Sequence, residues 1–202
     1  MPAIVRNRRA QGYHLKIAIV GWGYLTWDPR GLDLEPQWLT DGPLLPVEFA
    51  RFASGPRLLP VLVEGAPLQP TLWTLSRKRS VLAAAADLAV REGVSTHDVG
   101  HWTRAEAMRK SVGIDAIIGQ WVESRGLDGA VWRAVEPNLP DLSPGFASEQ
   151  ARLDYLRQLV ATGRATAAKE YFERMPAQIR TPFQELVQRE LGWASAGTSR
   201  AD

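Results

Sequence analysis

Residues 16–30, KIAIVGWGYLTWDPR, decide how the rest of the chain is interpreted. Four apolar residues, 17–20, lead directly into Gly21-Trp22-Gly23, and an aromatic-rich turn follows. A short apolar run bounded by glycine is typical of a strand that is buried on both faces. Two glycines at its carboxyl end permit a sharp turn that presents backbone N–H groups, which favours an anion-binding site. A tight corner around buried aromatic residues explains the pattern equally well, so both interpretations stay open.

Composition limits the class of protein. The chain has 202 residues, of which 45% are hydrophobic, and this is enough for one well-packed domain. The net charge is only +2, and the basic residues do not alternate with aromatic ones, which argues against nucleic acid as a partner. The absence of cysteine excludes disulfides, thiol catalysis and cysteine-ligated zinc. Since no run reaches the roughly 18 apolar residues of a membrane span, we expect a cytoplasmic protein without membrane contact.

The two ends of the chain differ from its centre. Residues 1–14, MPAIVRNRRAQGYH, are basic and lack the apolar centre of a secretion signal, so we predict a disordered or tag-like leader. Residues 15–193 are predicted to form a single domain, because no clear linker interrupts them. Residues 194–202 are small and polar and predict a flexible tail. We expect a monomer or a homodimer.

Three strand-like runs follow the opening turn and a long loop. They are residues 47–52, 57–63 and 70–75, separated by turns rich in glycine and proline, and this spacing predicts an antiparallel meander. The first run alternates apolar and polar residues, which is typical of a half-exposed strand. Pro60 in the second run predicts an edge strand or a bulge.

Helices dominate the remainder. Residues 80–92 are rich in alanine, with Ser80 as a predicted N-cap and Gly93 as the end, and their apolarity predicts a helix buried on most sides. A second helix is predicted at 114–124, and residues 127–135 then read as a second buried strand, parallel to the first after the helical crossover. The last third is predicted to be helical, with helices at 148–162, 165–175 and 182–191.

Metal chemistry has weak support. His97 and His101 are four residues apart, a spacing that two ligands of one metal ion can have. Their segment is not convincingly helical and no third ligand is evident, so we predict neither a metal nor another cofactor. The chain also lacks a nucleophile elbow and a Walker-type loop.

Two segments resemble a known superfamily. Residues 21–29, Gly-Trp-Gly-Tyr-Leu-Thr-Trp-Asp-Pro, follow the first strand, and residues 88–94, Leu-Ala-Val-Arg-Glu-Gly-Val, end the alanine-rich helix. The first segment resembles the Gly-Tyr-Gly-Ser-Leu-Ile-Trp turn of ChaC-type members of the gamma-glutamylcyclotransferase-like superfamily. The second resembles the segment that carries the acid/base glutamate of that superfamily, and it aligns Glu92 with this residue. Residues 132–138, WRAVEPN, are also similar to a loop of uncharacterised bacterial relatives.

The resemblance implies an α+β fold, in which helices surround a small mixed β-barrel, and an enzyme that acts on a small molecule. The implied substrate is a gamma-glutamyl amine or a related amide. Glu92 would take a proton from the α-amine as this attacks the γ-carbonyl, and would return it to the departing amine, releasing 5-oxoproline. The substrate carboxylate would be bound by the turn formed by Gly21, Trp22, Gly23, Tyr24 and Leu25.

Tyr24 is the main departure from the superfamily pattern, because it stands where the superfamily has a serine. A phenol narrows the implied pocket, and this supports a second hypothesis, a non-catalytic member of the fold that binds a small molecule or a protein. A third hypothesis is an amide hydrolase in which Glu92 activates water. Side chains that are candidates for lining an altered pocket, each also explained by a structural role, are Trp27, Glu136, Asn138 and Arg180.

Overall fold

The structure, a computed structural model, describes residues 14–138 and 149–195. Residues 1–13 of the predicted leader and 196–202 of the predicted tail lie outside the described residues. The strands are β1 (Ile17–Gly21), β2 (Leu44–Phe52), β3 (Leu58–Leu62), β4 (Leu68–Pro70), β5 (Leu72–Ser76), β6 (Val99–Thr103) and β7 (Gly129–Arg133). The helices are α1 (Val81–Glu92), α2 (Gly113–Ser124), α3 (Glu149–Ala161), α4 (Thr166–Glu173) and α5 (Pro182–Leu191).

Strand β1 lies in the interior of a four-stranded sheet with the order β5-β1-β7-β6. It runs parallel to β7 and antiparallel to β5, which confirms the prediction of a second buried strand parallel to the first. Alternate residues of β1 belong to different hydrophobic clusters: Ile17 and Ile19 pack with α1, whereas Ala18 and Val20 pack with the larger core. The strand is therefore covered on both faces, as its continuous apolar run predicts.

The remaining strands form a second sheet with the order β3-β2-β4. The predicted meander is wrong, because β5 leaves this sheet to pair with β1. Strand β2 is also more buried than predicted, since it is the central strand and helix α5 contacts it. The interpretation of Pro60 is confirmed on both counts: β3 is an edge strand, and its pairing with β2 shifts in register next to Pro60.

The α+β class is confirmed, but the described strands divide between two sheets and do not close into one barrel. The division occurs at Thr71, between the end of β4 at Pro70 and the start of β5 at Leu72. Thr71 still donates its N–H to the carbonyl of Pro43, and the next residue, Leu72, pairs with Gly21 of β1.

Helix α1 begins and ends as predicted. The Ser80 hydroxyl accepts a hydrogen bond from the N–H of Ala83, and Gly93 ends the helix in the left-handed conformation with φ of 65°. The prediction that the helix is buried on most sides is wrong. It lies on one face of the four-stranded sheet, so Leu82 and Val90 on its other side are exposed.

Residues 149–195 contain three helices and no strand, as predicted. Their apolar residues join the core of the second sheet, where the Phe49 ring of β2 stacks on Phe172 of α4 at a centroid distance of 4.3 Å. Among the helices of the described residues, none combines the length and the apolarity needed to cross a bilayer.

Candidate active site

The turn after β1 is held by its own backbone and by β3. The N–H and the hydroxyl of Thr26 each donate to the carbonyl of Gly23 at 2.8 Å, which closes a single 3₁₀ turn over Tyr24–Thr26. The indole N–H of Trp22 donates to the carbonyl of Pro60 at 3.2 Å. These hydrogen bonds fix the conformation of the turn and its position against β3.

Glu92 is the last residue of α1, and its side chain is only 7% exposed. One carboxylate oxygen lies 2.6 Å from a guanidinium nitrogen of Arg91, and the other lies 3.1 Å from a guanidinium nitrogen of Arg133. Arg133 is the last residue of β7, the parallel neighbour of β1. The carboxylate is therefore brought to the turn because α1 packs across the same strands that carry the turn and Arg133.

The turn and Glu92 line one small cavity, which we call the inner cavity. Its volume is about 40 Å³. At roughly 10–15 Å³ for each water, this is room for a few water molecules and not for a gamma-glutamyl group. The lining residues are Val20, Gly21, Trp22, Gly23, Tyr24, Leu25, Pro60, Glu92, Arg133 and Tyr171. The five turn residues predicted from the sequence, 21–25, thus line the same cavity as Glu92, which follows them by about seventy residues in the chain.

Tyr171 of α4 occupies a position that the sequence does not reveal. Its hydroxyl accepts a hydrogen bond from the backbone N–H of Tyr24 at 3.2 Å, so this donor of the turn already has a partner. Burial raises the pKa of Tyr171 to about 12, and the hydroxyl therefore keeps its proton at neutral pH. A β-carbon on Gly23 would lie 2.5 Å from the same hydroxyl oxygen, so the glycine is what admits the phenol.

A larger opening, which we call the basic cleft, lies beside the inner cavity and shares Tyr24, Glu92, Arg133 and Tyr171 with it. Its volume is about 520 Å³, a size that suits a small molecule. Five arginines line it: Arg30, Arg51, Arg57, Arg91 and Arg133. The strongest positive charge of the site is therefore in the cleft and not at the turn amides.

Tyr24 does not close the cleft. Its ring lies beneath three guanidinium groups, with centroid distances of 5.5 Å to Arg30, 5.9 Å to Arg57 and 5.0 Å to Arg91. A hydrogen bond from its hydroxyl to Asp28 raises the pKa of Tyr24 and lowers the pKa of Asp28. The phenol is thus held against the wall of the cleft as a flat, neutral surface.

The other candidate side chains fall in different places. Trp27 packs edge-on against Tyr171 at 5.3 Å and lines a third cavity of about 150 Å³ beside Tyr24. Asn138 exchanges two hydrogen bonds with the backbone of Phe52, and Glu136 offers its carbonyl to Arg51. Arg180 is exposed, and its backbone N–H donates to Gln69. The last three are therefore not among the residues that line the inner cavity or the basic cleft.

The two histidines lie in different elements, His97 in a short 3₁₀ turn and His101 on β6. His101 lies 3.4 Å from a carboxylate oxygen of Glu106. Within residues 14–138 and 149–195, no group of three or more histidine, aspartate or glutamate side chains could hold a metal ion.

Sequence reasoning missed Tyr171, Arg57 and Arg133 as site residues. Tyr171 stands in the helical segment AKEYFERM, where it resembles any core aromatic residue. Arg133 is the last residue of β7 and lies in the WRAVEPN segment, in which the sequence predicts only Glu136 and Asn138 as pocket residues. No local pattern distinguishes these residues, because their role depends on contacts across the fold.

Comparison with known proteins identifies no relative of this chain. No protein-family model matches the chain, and no curated protein or solved structure shows significant similarity to it.

Proposed function

We propose that this protein is a gamma-glutamylcyclotransferase-like enzyme that acts on a gamma-glutamyl amine or a related small amide. The observation that carries the proposal is the shared inner cavity, which joins the turn of residues 21–25 to Glu92. These are the two segments that resemble the superfamily, and nothing in their sequence positions requires them to meet.

In the proposed reaction, the α-amine nitrogen of the substrate attacks its own γ-carbonyl carbon. This forms the ring bond of 5-oxoproline, and the bond between the γ-carbon and the departing amine nitrogen breaks. Glu92 accepts the proton lost by the attacking nitrogen and delivers it to the departing amine. The Tyr171 hydroxyl, which keeps its proton, donates a hydrogen bond to the γ-carbonyl oxygen as negative charge develops there.

The volume of the inner cavity places a condition on this proposal. A gamma-glutamyl group does not fit into about 40 Å³, so we infer that the substrate occupies the basic cleft and presents its γ-carbonyl at the wall shared with the inner cavity. Its carboxylate is then held by guanidinium groups of the cleft instead of by the Tyr24 amide, which Tyr171 already occupies.

The test is an assay for 5-oxoproline with a panel of gamma-glutamyl amines. We expect the wild-type protein to release it and Glu92→Gln to lose the activity by about a hundredfold or more, as is typical for removal of a general acid/base. Glu64→Gln, which changes an exposed glutamate in a turn, is the matched control. Equal rates for wild type and Glu92→Gln would rule out the assigned role, and release of glutamate in place of 5-oxoproline would identify an amide hydrolase.

A non-catalytic binding protein is the second candidate, and one observation favours it. The Glu92 carboxylate is already engaged by two guanidinium groups, so both of its oxygens have partners before a substrate binds. If this candidate is correct, a gamma-glutamyl compound will raise the melting temperature of the protein. Neither 5-oxoproline nor glutamate will form from that compound during a prolonged incubation.

A further inference from the structure

We propose that the basic cleft binds a phosphate group carried by a small molecule. This binding site does not depend on any reaction at Glu92.

The charges of the cleft do not balance. Five arginines line it, and the carboxylates that pair with them are Glu92, bound to Arg91 and Arg133, and Asp28, bound to Arg30 at 3.0 Å. Five positive charges against two negative ones leave an excess of three. Like charges gathered in a concave, partly desolvated surface repel one another, so an anion in the cleft lowers the free energy of the folded protein.

Two of the five arginines have no carboxylate partner among residues 14–138 and 149–195. Arg51 donates to the carbonyl of Glu136 at 2.5 Å, which leaves most of its N–H groups for a ligand. Arg57 forms neither an ion pair nor a side-chain hydrogen bond with the described residues, and it contacts the Tyr24 ring. These two guanidinium groups are therefore placed to bind a ligand without first breaking an ion pair.

Buried donors at the same site also lack acceptors. The Nε atoms of Arg91 and Arg133 are shielded from solvent and have no hydrogen-bond partner among the described residues. The Arg91 side chain is only 5% exposed, so water does not substitute freely for a missing acceptor. Because these two nitrogens are shielded from solvent, they are also closed to a ligand in the cleft, which meets the half-buried guanidinium groups of Arg51 and Arg57 instead.

Phosphate fits these conditions better than a single carboxylate. A phosphate monoester carries a charge close to −2 at neutral pH and three acceptor oxygens, which matches the excess charge and the spread of guanidinium groups. The cleft, at about 520 Å³, is larger than a phosphate ion alone. The remaining space of the cleft then accommodates the rest of the ligand.

The experiment is a calorimetric titration of the protein with inorganic phosphate and, separately, with acetate, at constant ionic strength. We expect saturable phosphate binding that is about tenfold tighter than acetate binding. The double variant Arg51→Gln/Arg57→Gln should weaken phosphate binding by about tenfold or more. The control Arg109→Gln removes one exposed arginine that does not line the cleft, and it should change the affinity by less than about twofold.

Three results would overturn the proposal: no saturable phosphate binding, equal affinity for acetate, or equal losses in the cleft variant and the control. The single variant Arg57→Gln, checked for a wild-type circular dichroism spectrum, gives the same decision if the double variant does not fold. Glu92→Gln separates this proposal from cyclotransfer. It removes a negative charge from the cleft, so it should bind phosphate at least as tightly as wild type even where it forms no 5-oxoproline.

Discussion

Glu48 and Glu92 are both buried glutamates that pair with arginine, yet they lie in regions of different character. Glu48 lies on β2, facing helices α3 and α5. Its carboxylate oxygens accept hydrogen bonds from the backbone N–H groups of Phe49 at 2.6 Å and of Phe183 at 3.3 Å. Arg152 lies 3.8 Å away, and both side chains are 2% exposed. Within the described part of the chain, Glu92 accepts hydrogen bonds only from guanidinium groups, and it lines both the inner cavity and the basic cleft.

The difference shows that a buried carboxylate with an arginine is not by itself a functional site. The Glu48 pair links α3 and α5 to the second sheet, and it lines neither the inner cavity nor the basic cleft. At Glu92 an opening large enough for a small molecule adjoins the carboxylate. A ligand can therefore replace part of the ion pairing there, whereas at Glu48 only unfolding exposes the charge.

The largest expected effect is on stability at the Glu48 pair. Arg152→Met leaves a buried carboxylate without its cation, so the free energy of unfolding should fall by about 3–5 kcal/mol. The matched change Arg133→Met at the cleft should lower it by only about 1–2 kcal/mol, because Arg91 and water in the cleft still solvate Glu92. Urea unfolding of both variants measures the difference. Equal losses would mean that the two glutamates are in equivalent environments.

An intermediate effect is expected at the close contact between the turn and α4. Gly23→Ala places a methyl group 2.5 Å from the Tyr171 hydroxyl, so it should lower the free energy of unfolding by about 1–3 kcal/mol. In a Tyr171→Phe background the hydroxyl is absent and the nearest atoms lie at 3.4 Å or beyond. The alanine should then have a smaller effect, and a thermal-unfolding double-mutant cycle tests this. An unchanged penalty in the phenylalanine background would show that another contact is responsible.

The smallest effect is a dependence of stability on pH, of at most about 1.4 kcal/mol for each pH unit. Burial raises the pKa of Glu48 above its unfolded value, which is about 4.3. The folded state then binds this proton more tightly than the unfolded state, so the resulting stability is complete below the unfolded pKa and is lost as the pH rises through the folded pKa.

Glu48→Gln removes this titration. The stability of wild type relative to Glu48→Gln should therefore decrease as the pH rises above about 4, by at most about 1.4 kcal/mol for each pH unit, until the folded pKa is passed. Urea unfolding at several pH values within that range measures the trend. A constant difference, or one that grows with pH, contradicts the assignment.

Local elements of the fold were predictable because their signals are short-range. The apolar run before Gly21 predicts β1, Ser80 and Gly93 bound α1, and the helical periods of the last third predict α3 to α5. The burial of β2 and the transfer of β5 to the other sheet were not predictable. Alternation of residue types describes one strand alone, and which strand becomes central depends on pairing with distant segments.

For the candidate site, the sequence by itself determined the types of group present: a glycine-bounded turn, a glutamate at a helix end and an aromatic residue at position 24. Only the tertiary structure decided how they are used. It brings the Tyr171 hydroxyl, 147 residues from Tyr24 in the chain, onto the turn, and it collects arginines from separate strands, helices and loops around Glu92. Contacts of this kind follow from the packing of α4 and α1 against the strands, and packing between elements leaves no periodic signal in either segment.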